Sequence, residues 1–103
     1  MVRKVRWSRS ALVDLQNLFE YITESSPLNA FRLADRIRKA SESLNSFPER
    51  GRIIPEFEDP TLREIFISQY RLMYQVLQKE IIITAVIHMS RDLQNLFPPN
   101  QNV

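Results

Sequence analysis

The chain has 103 residues, enough for one domain with a modest core but not for a deep cleft around a large cofactor, so none is expected. It has no cysteine and a single histidine, which removes a disulfide framework, a thiolate nucleophile and any credible metal site. The formal charge is only +2, but it is built from eleven arginines against three lysines, a bias toward planar, bidentate contact with phosphate or carboxylate.

Residues 2–7 read as a short basic strand with Val5 and Trp7 on one face. Its run of Arg3, Lys4, Arg6 and Arg9 suits either a partner contact or an edge strand kept by charge from pairing wrongly. Ser8 is placed to cap a helix whose Ala11, Leu12, Leu15, Leu18, Phe19 and Ile22 recur at helical spacing. Ser25-Ser26-Pro27 ends it and begins a second helix, with Ser26 as cap and Pro27 in the first turn. There Ala30, Leu33, Ala34, Ile37, Ala40, Leu44 and Phe47 form an apolar stripe opposite Arg32, Arg36 and Lys39, whose exposed charges form a candidate docking rim. Pro48 and Gly51 close the helical hairpin.

Residues 48–60 form a loop rich in proline and acid, followed by strands predicted at 62–67, 70–77 and 80–88. Only two residues separate each pair, so neighbours are antiparallel. The fold class expected is α+β: an N-terminal strand, a helical hairpin and a three-stranded antiparallel meander, with the helices on one face. The domain is expected over 1–95, with 96–103 as a flexible tail. No run is long enough to span a membrane and the start lacks a signal peptide's apolar stretch, so a cytoplasmic protein with no membrane contact is expected.

Arg52, Arg63, Arg71 and Arg91 recur through this half of the chain, and cations on a small sheet are costly to bury alone. They read as one face for an anionic partner. In the 70–77 strand Arg71, Met73 and Gln75 alternate with Tyr70, Leu72 and Tyr74. In the 80–88 strand both phases are apolar. With Ile81, Ile83, Ala85 and Ile87 toward the helices, Thr84, Val86 and His88 share the open face with Arg71. The competing readings are structural. Arg71 can pair with Glu64 across the hairpin, Arg63 can serve the sheet, Glu56 can belong to an acidic patch with Glu58 and Asp59, and His88 can be a hydrogen-bonded strand end.

The ordered set Trp7-Ser8, Asp14-Leu15, Tyr21-Ile22, Pro27, Phe47-Pro48, Gly51-Arg52, Pro55-Glu56, Leu62-Arg63-Glu64, Tyr70-Arg71-Leu72-Met73-Tyr74, and His88 through Arg91 resembles the RelE/ParE toxin superfamily over residues 2–92. The spacing is closest to the ParE branch, known as plasmid stabilisation proteins. The resemblance implies the toxin half of a bacterial type II toxin–antitoxin pair, bound in a hetero-oligomer by a cognate antitoxin with a disordered C-terminal segment. That segment would dock along Arg32, Arg36 and Lys39. The ParE branch implies inhibition of DNA gyrase without catalysis, with Arg52, Arg63, Arg71, His88 and Arg91 as contacts. The alternative is a ribosome-dependent mRNA endoribonuclease like RelE or YoeB, with Glu56 as base, Arg71 on the phosphate and His88 as acid or orienting group. Met89 stands where YoeB-like members carry tyrosine, and no lysine lies between Lys39 and Lys79, where RelE uses loop lysines. A third reading is a non-toxic binding module that keeps the fold.

Overall fold

The computed structural model describes residues 2–90. The elements run β1 (Lys4–Trp7), α1 (Arg9–Ser25), α2 (Pro27–Ser43), β2 (Arg52–Ile53), β3 (Leu62–Ile67), β4 (Tyr70–Val76) and β5 (Glu80–His88). The caps are those the sequence supplies. Ser8 Oγ accepts from the Ala11 N–H at 3.1 Å. Ser26 serves both helices at once: its N–H donates to the Ile22 carbonyl, and its Oγ accepts from the Asn29 N–H. One shared residue therefore turns the chain between helices, with Pro27 preset for the first turn of α2.

The sheet has five strands in the order β1-β5-β4-β3-β2. Four strands follow the helices, not the expected three. The additional one, β2, is two residues long and pairs Arg52 with Glu64 and Ile53 with Arg63. Such a strand has no period to read, and it lies inside a loop that looks like turn chemistry. β1 pairs in parallel with β5 at one edge, and its charges are used locally. Arg6 Nε lies 3.1 Å from Glu80 Oε1, and Arg3 Nε donates to the Leu77 carbonyl.

The phase of β5 changes along its length. Met73 pairs with Ala85 but Tyr74 pairs with Ile83, so Thr84 is an extra residue in the ladder. A bulge of this kind turns everything beyond it to the other face. Ile81 and Ile83 lie in the core under the helices, as does Val86, while Ala85 and Ile87 pack on the opposite face. The expected placement of Ile81 and Ile83 holds, and that of Ala85, Ile87, Val86 and His88 is reversed. The helices hold the bulge: Asp14 Oδ2 accepts from the Val86 N–H at 3.0 Å.

The main core joins Ala11, Leu18, Leu33, Ile37, Ala40 and Leu44 of the helical hairpin and its exit to Ile67, Leu72, Tyr74, Ile81, Ile83 and Val86 of the sheet. The other face is covered in part by the loop after β2, where Ile54 packs on Met73 and Ala85. Phe47 does not extend the α2 stripe. α2 ends at Ser43, and Phe47 is 66% exposed on the turn beyond it.

Tyr74 ties that turn to the sheet. It is fully buried; its hydroxyl donates to the Pro48 carbonyl and accepts from the Gly51 N–H, both at 2.8 Å. Burial pushes the phenol pKa up, so it remains a neutral donor. Tyr74→Phe is expected to cost about 2 kcal/mol, because both backbone groups lose their buried partner. A urea titration of the two proteins measures it, and an unchanged midpoint would contradict the role given to the hydroxyl.

Candidate functional site

On the sheet face away from the helices, β2, β3, β4 and the loop after β2 bring four charges together. Cross-strand neighbours share a face, so the Arg52–Glu64 and Phe66–Arg71 pairs, with Glu64 and Phe66 two apart on β3, place Arg52, Glu64 and Arg71 on the same side. The Glu64 side chain is 0% exposed and that of Arg71 8%. Arg71 Nε donates to Glu64 Oε1, and Arg52 Nε donates to Glu64 Oε2 at 2.8 Å. Arg52 also stacks its guanidinium 4.7 Å from the centre of the Phe66 ring. From the loop above, Glu56 receives both outer nitrogens of Arg71: Nη1 to Oε2 and Nη2 to Oε1, each at 2.9 Å.

The chain Glu56–Arg71–Glu64–Arg52 is thus formally neutral, and each buried charge in it is paired, which offsets the cost of desolvation. The Glu56 hydrogen bond raises the Arg71 pKa further, so this guanidinium is a permanent cation. The same bond holds the Glu56 carboxyl below the usual glutamate range. The two ends of Arg71 differ. Its Nε end is fixed by a buried glutamate, whereas its two-nitrogen outer edge faces a loop carboxylate that is 32% exposed. That edge is a fork for two coplanar oxygens, a match for carboxylate or phosphate.

The cations expected on one face are divided between two. Arg52 and Arg71 share the open face with Glu56. Arg63 lies on the helix side, where its Nη1 donates to the Gly51 carbonyl at 2.8 Å. His88 is also on the helix side, because it pairs with Tyr70 and stands beyond the Thr84 bulge. Its ring meets Tyr70 edge-on with centroids 5.2 Å apart. His88 Nε2 lies 3.2 Å from Gln69 Oε1, and Nδ1 lies 2.7 Å from Ser90 Oγ. Glu56 and Arg71 are therefore in direct contact, while His88 is separated from them by the sheet. Arg91 lies outside the described residues, as do the boundary at 95 and the tail.

On α2, Lys39 Nζ is 3.0 Å from Asp35 Oδ2. Arg32 and Arg36 make no ion pair or hydrogen bond within the described residues. With His88, Tyr70, Tyr21 and Asn29 they line a cleft between α2 and the β3–β4 turn. Tyr21, Asn29, Gln69 and Tyr70 are cleft residues not expected in a site from the sequence. Tyr21 stands off the apolar stripe of α1, the one sign in the sequence that it faces something other than the core. Among the described residues no group of three metal-ligating side chains comes together, and no helix is long and apolar enough to cross a membrane.

Comparison with known proteins places this architecture. The family model for the ParE toxin of the type II toxin-antitoxin system, parDE, matches residues 5–93. Toxin RelE2 of Caulobacter vibrioides is 37% identical over 89 residues, covering 85% of this chain and 97% of that protein. Toxin RelE1 of the same organism is 33% identical over 79 residues, covering 73% and 81%. A solved structure described as the chromosomal ParDE TA system from P. aeruginosa superposes with a TM-score of 0.71 at 22% identity, covering 86% of this chain and 98% of that one, which shows a shared fold.

Proposed function

The chain belongs to the ParE toxin family, within the RelE/ParE superfamily, and is the toxin component of a type II toxin–antitoxin system; from that premise we propose that its target is mRNA on the ribosome, cleaved without a metal. The observation that carries this reading is the bidentate Glu56–Arg71 contact, anchored from behind by Glu64. A scissile phosphate takes the outer edge of Arg71 in place of Glu56. The displaced carboxylate loses the hydrogen bond that depresses its pKa and becomes a stronger base beside the 2′-hydroxyl. It accepts that proton as the 2′ oxygen attacks phosphorus and the bond to the 5′ oxygen breaks; the 5′ oxygen leaves as a hydroxyl with a proton from water, a 2′,3′-cyclic phosphate remains, and Arg71 stabilises the charge that gathers on the phosphoryl oxygens. Two relatives that bear the RelE name support the same target.

The expected neutralising partner is a cognate antitoxin whose acidic segment lies along Arg32, Arg36 and Lys39, over the exposed Leu28 and Phe31. A second reading, gyrase inhibition, is favoured by the ParE family match. In that reading the charge network only stabilises the sheet.

Glu56→Gln separates the two. It is expected to lower ribosome-dependent mRNA cleavage by at least about 100-fold, the usual range for a general base. The fold should lose under about 1 kcal/mol, because the pair is partly exposed and the amide still accepts from Arg71. A gyrase supercoiling assay runs beside it. Inhibited gyrase with intact mRNA would replace the proposal by the second reading. The variant also changes the acid limb of stability. The folded Glu56 pKa is depressed, so its contribution is fully present above the ordinary value of about 4.3 and is lost as pH falls through the folded value. Melting temperatures taken downward from pH 5 should therefore fall more steeply for the native protein than for Glu56→Gln.

A further inference from the structure

The cleft between α2 and the β3–β4 turn lies on the opposite side of the sheet from Glu56 and Arg71. Its volume is about 620 Å³, within the range of small-molecule and nucleotide sites, and no carboxylate lines it. Arg32 and Arg36 stand one helical turn apart on its wall, about 5–6 Å between Cβ atoms, without acidic partners among the described residues. Two tyrosines complete it. Tyr21 is 73% exposed. Tyr70 is held against His88 by the edge-on ring contact, and Gln69 and Asn29 add amide groups. An exposed tyrosine ring and a half-buried one beside arginines without acidic partners are the elements that hold an unpaired nucleic-acid strand: guanidinium on phosphate, ring on base. An acidic peptide would satisfy the two arginines but would leave the exposed Tyr21 ring without a task.

We propose that this cleft binds single-stranded RNA, with successive phosphates on Arg32 and Arg36 and a base against Tyr21 and Tyr70. The inference deepens the RNA reading above but does not depend on cleavage at the other face. The antitoxin, lying over the same α2 rim, would then compete with RNA directly.

The test is fluorescence anisotropy with a labelled 12-nucleotide oligouridine, using the native chain, Arg32→Glu/Arg36→Glu, Tyr21→Ala and Glu56→Gln. The arginine pair should weaken binding by at least tenfold and reduce the slope of log K against log salt by about 1.4, the contribution of two phosphates on a single strand. Tyr21→Ala should weaken it by roughly tenfold, the cost of one lost stacking contact. Adding the arginine-pair changes to Glu56→Gln should weaken its binding by the same factor as in the native chain, so the cleft and the proposed chemistry fail or hold separately. The arginine-pair and Tyr21→Ala variants should melt like the native chain. Oligouridine binding that ignores the arginine pair overturns the proposal. So does a cleft that takes a 12-residue oligoglutamate but no RNA, which would make it an antitoxin site alone.

Discussion

Gly51→Ala is expected to destabilise the protein by about 3 kcal/mol or more, a fall in melting temperature on the order of 15 °C for a domain of this size. The residue is buried between the end of the helical hairpin and β3. An added methyl would lie 2.4 Å from the Glu64 carbonyl oxygen and 2.7 Å from the Tyr74 hydroxyl. Neither neighbour is free to yield. The carbonyl belongs to the central stretch of β3, and the hydroxyl is fixed by two hydrogen bonds at 2.8 Å. The strain also reaches the candidate site, because the Glu64 backbone that must move carries the carboxylate anchoring Arg71. Thermal unfolding measures the loss. An alanine variant that melts within a few degrees of the native chain would show that the turn relaxes around the methyl, contrary to this packing.

Arg71→Ala is expected to cost about 3 kcal/mol, by a different route. It leaves Glu64, fully buried, with Arg52 as its remaining ion-pair partner and strips Glu56 of its own. Breaking one side of a buried pair is costly because the remaining charge keeps its desolvation penalty. Removing both charges together, in Glu64→Gln/Arg71→Met, should cost clearly less than the sum of the single changes. A double-mutant cycle in urea tests this. Additive single and double values would mean that Arg71 and Glu64 do not act as a unit. Loss of toxicity in Arg71→Ala alone cannot then be read as catalysis, which is why Glu56→Gln is the informative change at this site.

Much of the architecture is written locally in the sequence. Ser8, Ser26 and Pro27 set both helix starts, and the apolar spacing from Ala11 to Leu44 sets which faces are buried, except that Leu12 and Phe19, expected on the buried stripe of α1, stand exposed. The structural alternative for Arg71, pairing with Glu64 across the β3–β4 hairpin, is also legible, since both lie on alternating strands joined by a two-residue turn. What was not legible depends on single residues without a local signature. β2 exists only because Arg52 and Ile53 meet β3, and two residues carry no period. The bulge at Thr84 inverts the second half of β5, and nothing in Ile81 to His88 marks it, because apolar residues stand on both phases. The partner that holds it, Asp14, is more than 70 residues away. That one inserted residue moves His88 from beside Arg71 to the cleft of Arg32 and Arg36, and so turns one expected cationic face into two separate sites.

A map of mRNA ends after brief induction of the toxin without its antitoxin tests the cleavage most directly. New 5′-hydroxyl ends are expected inside translated codons with the native chain, few or none with Glu56→Gln at equal protein level, and DNA supercoiling unchanged in both. Intact messages together with relaxed or broken DNA would contradict it and assign the toxin to gyrase.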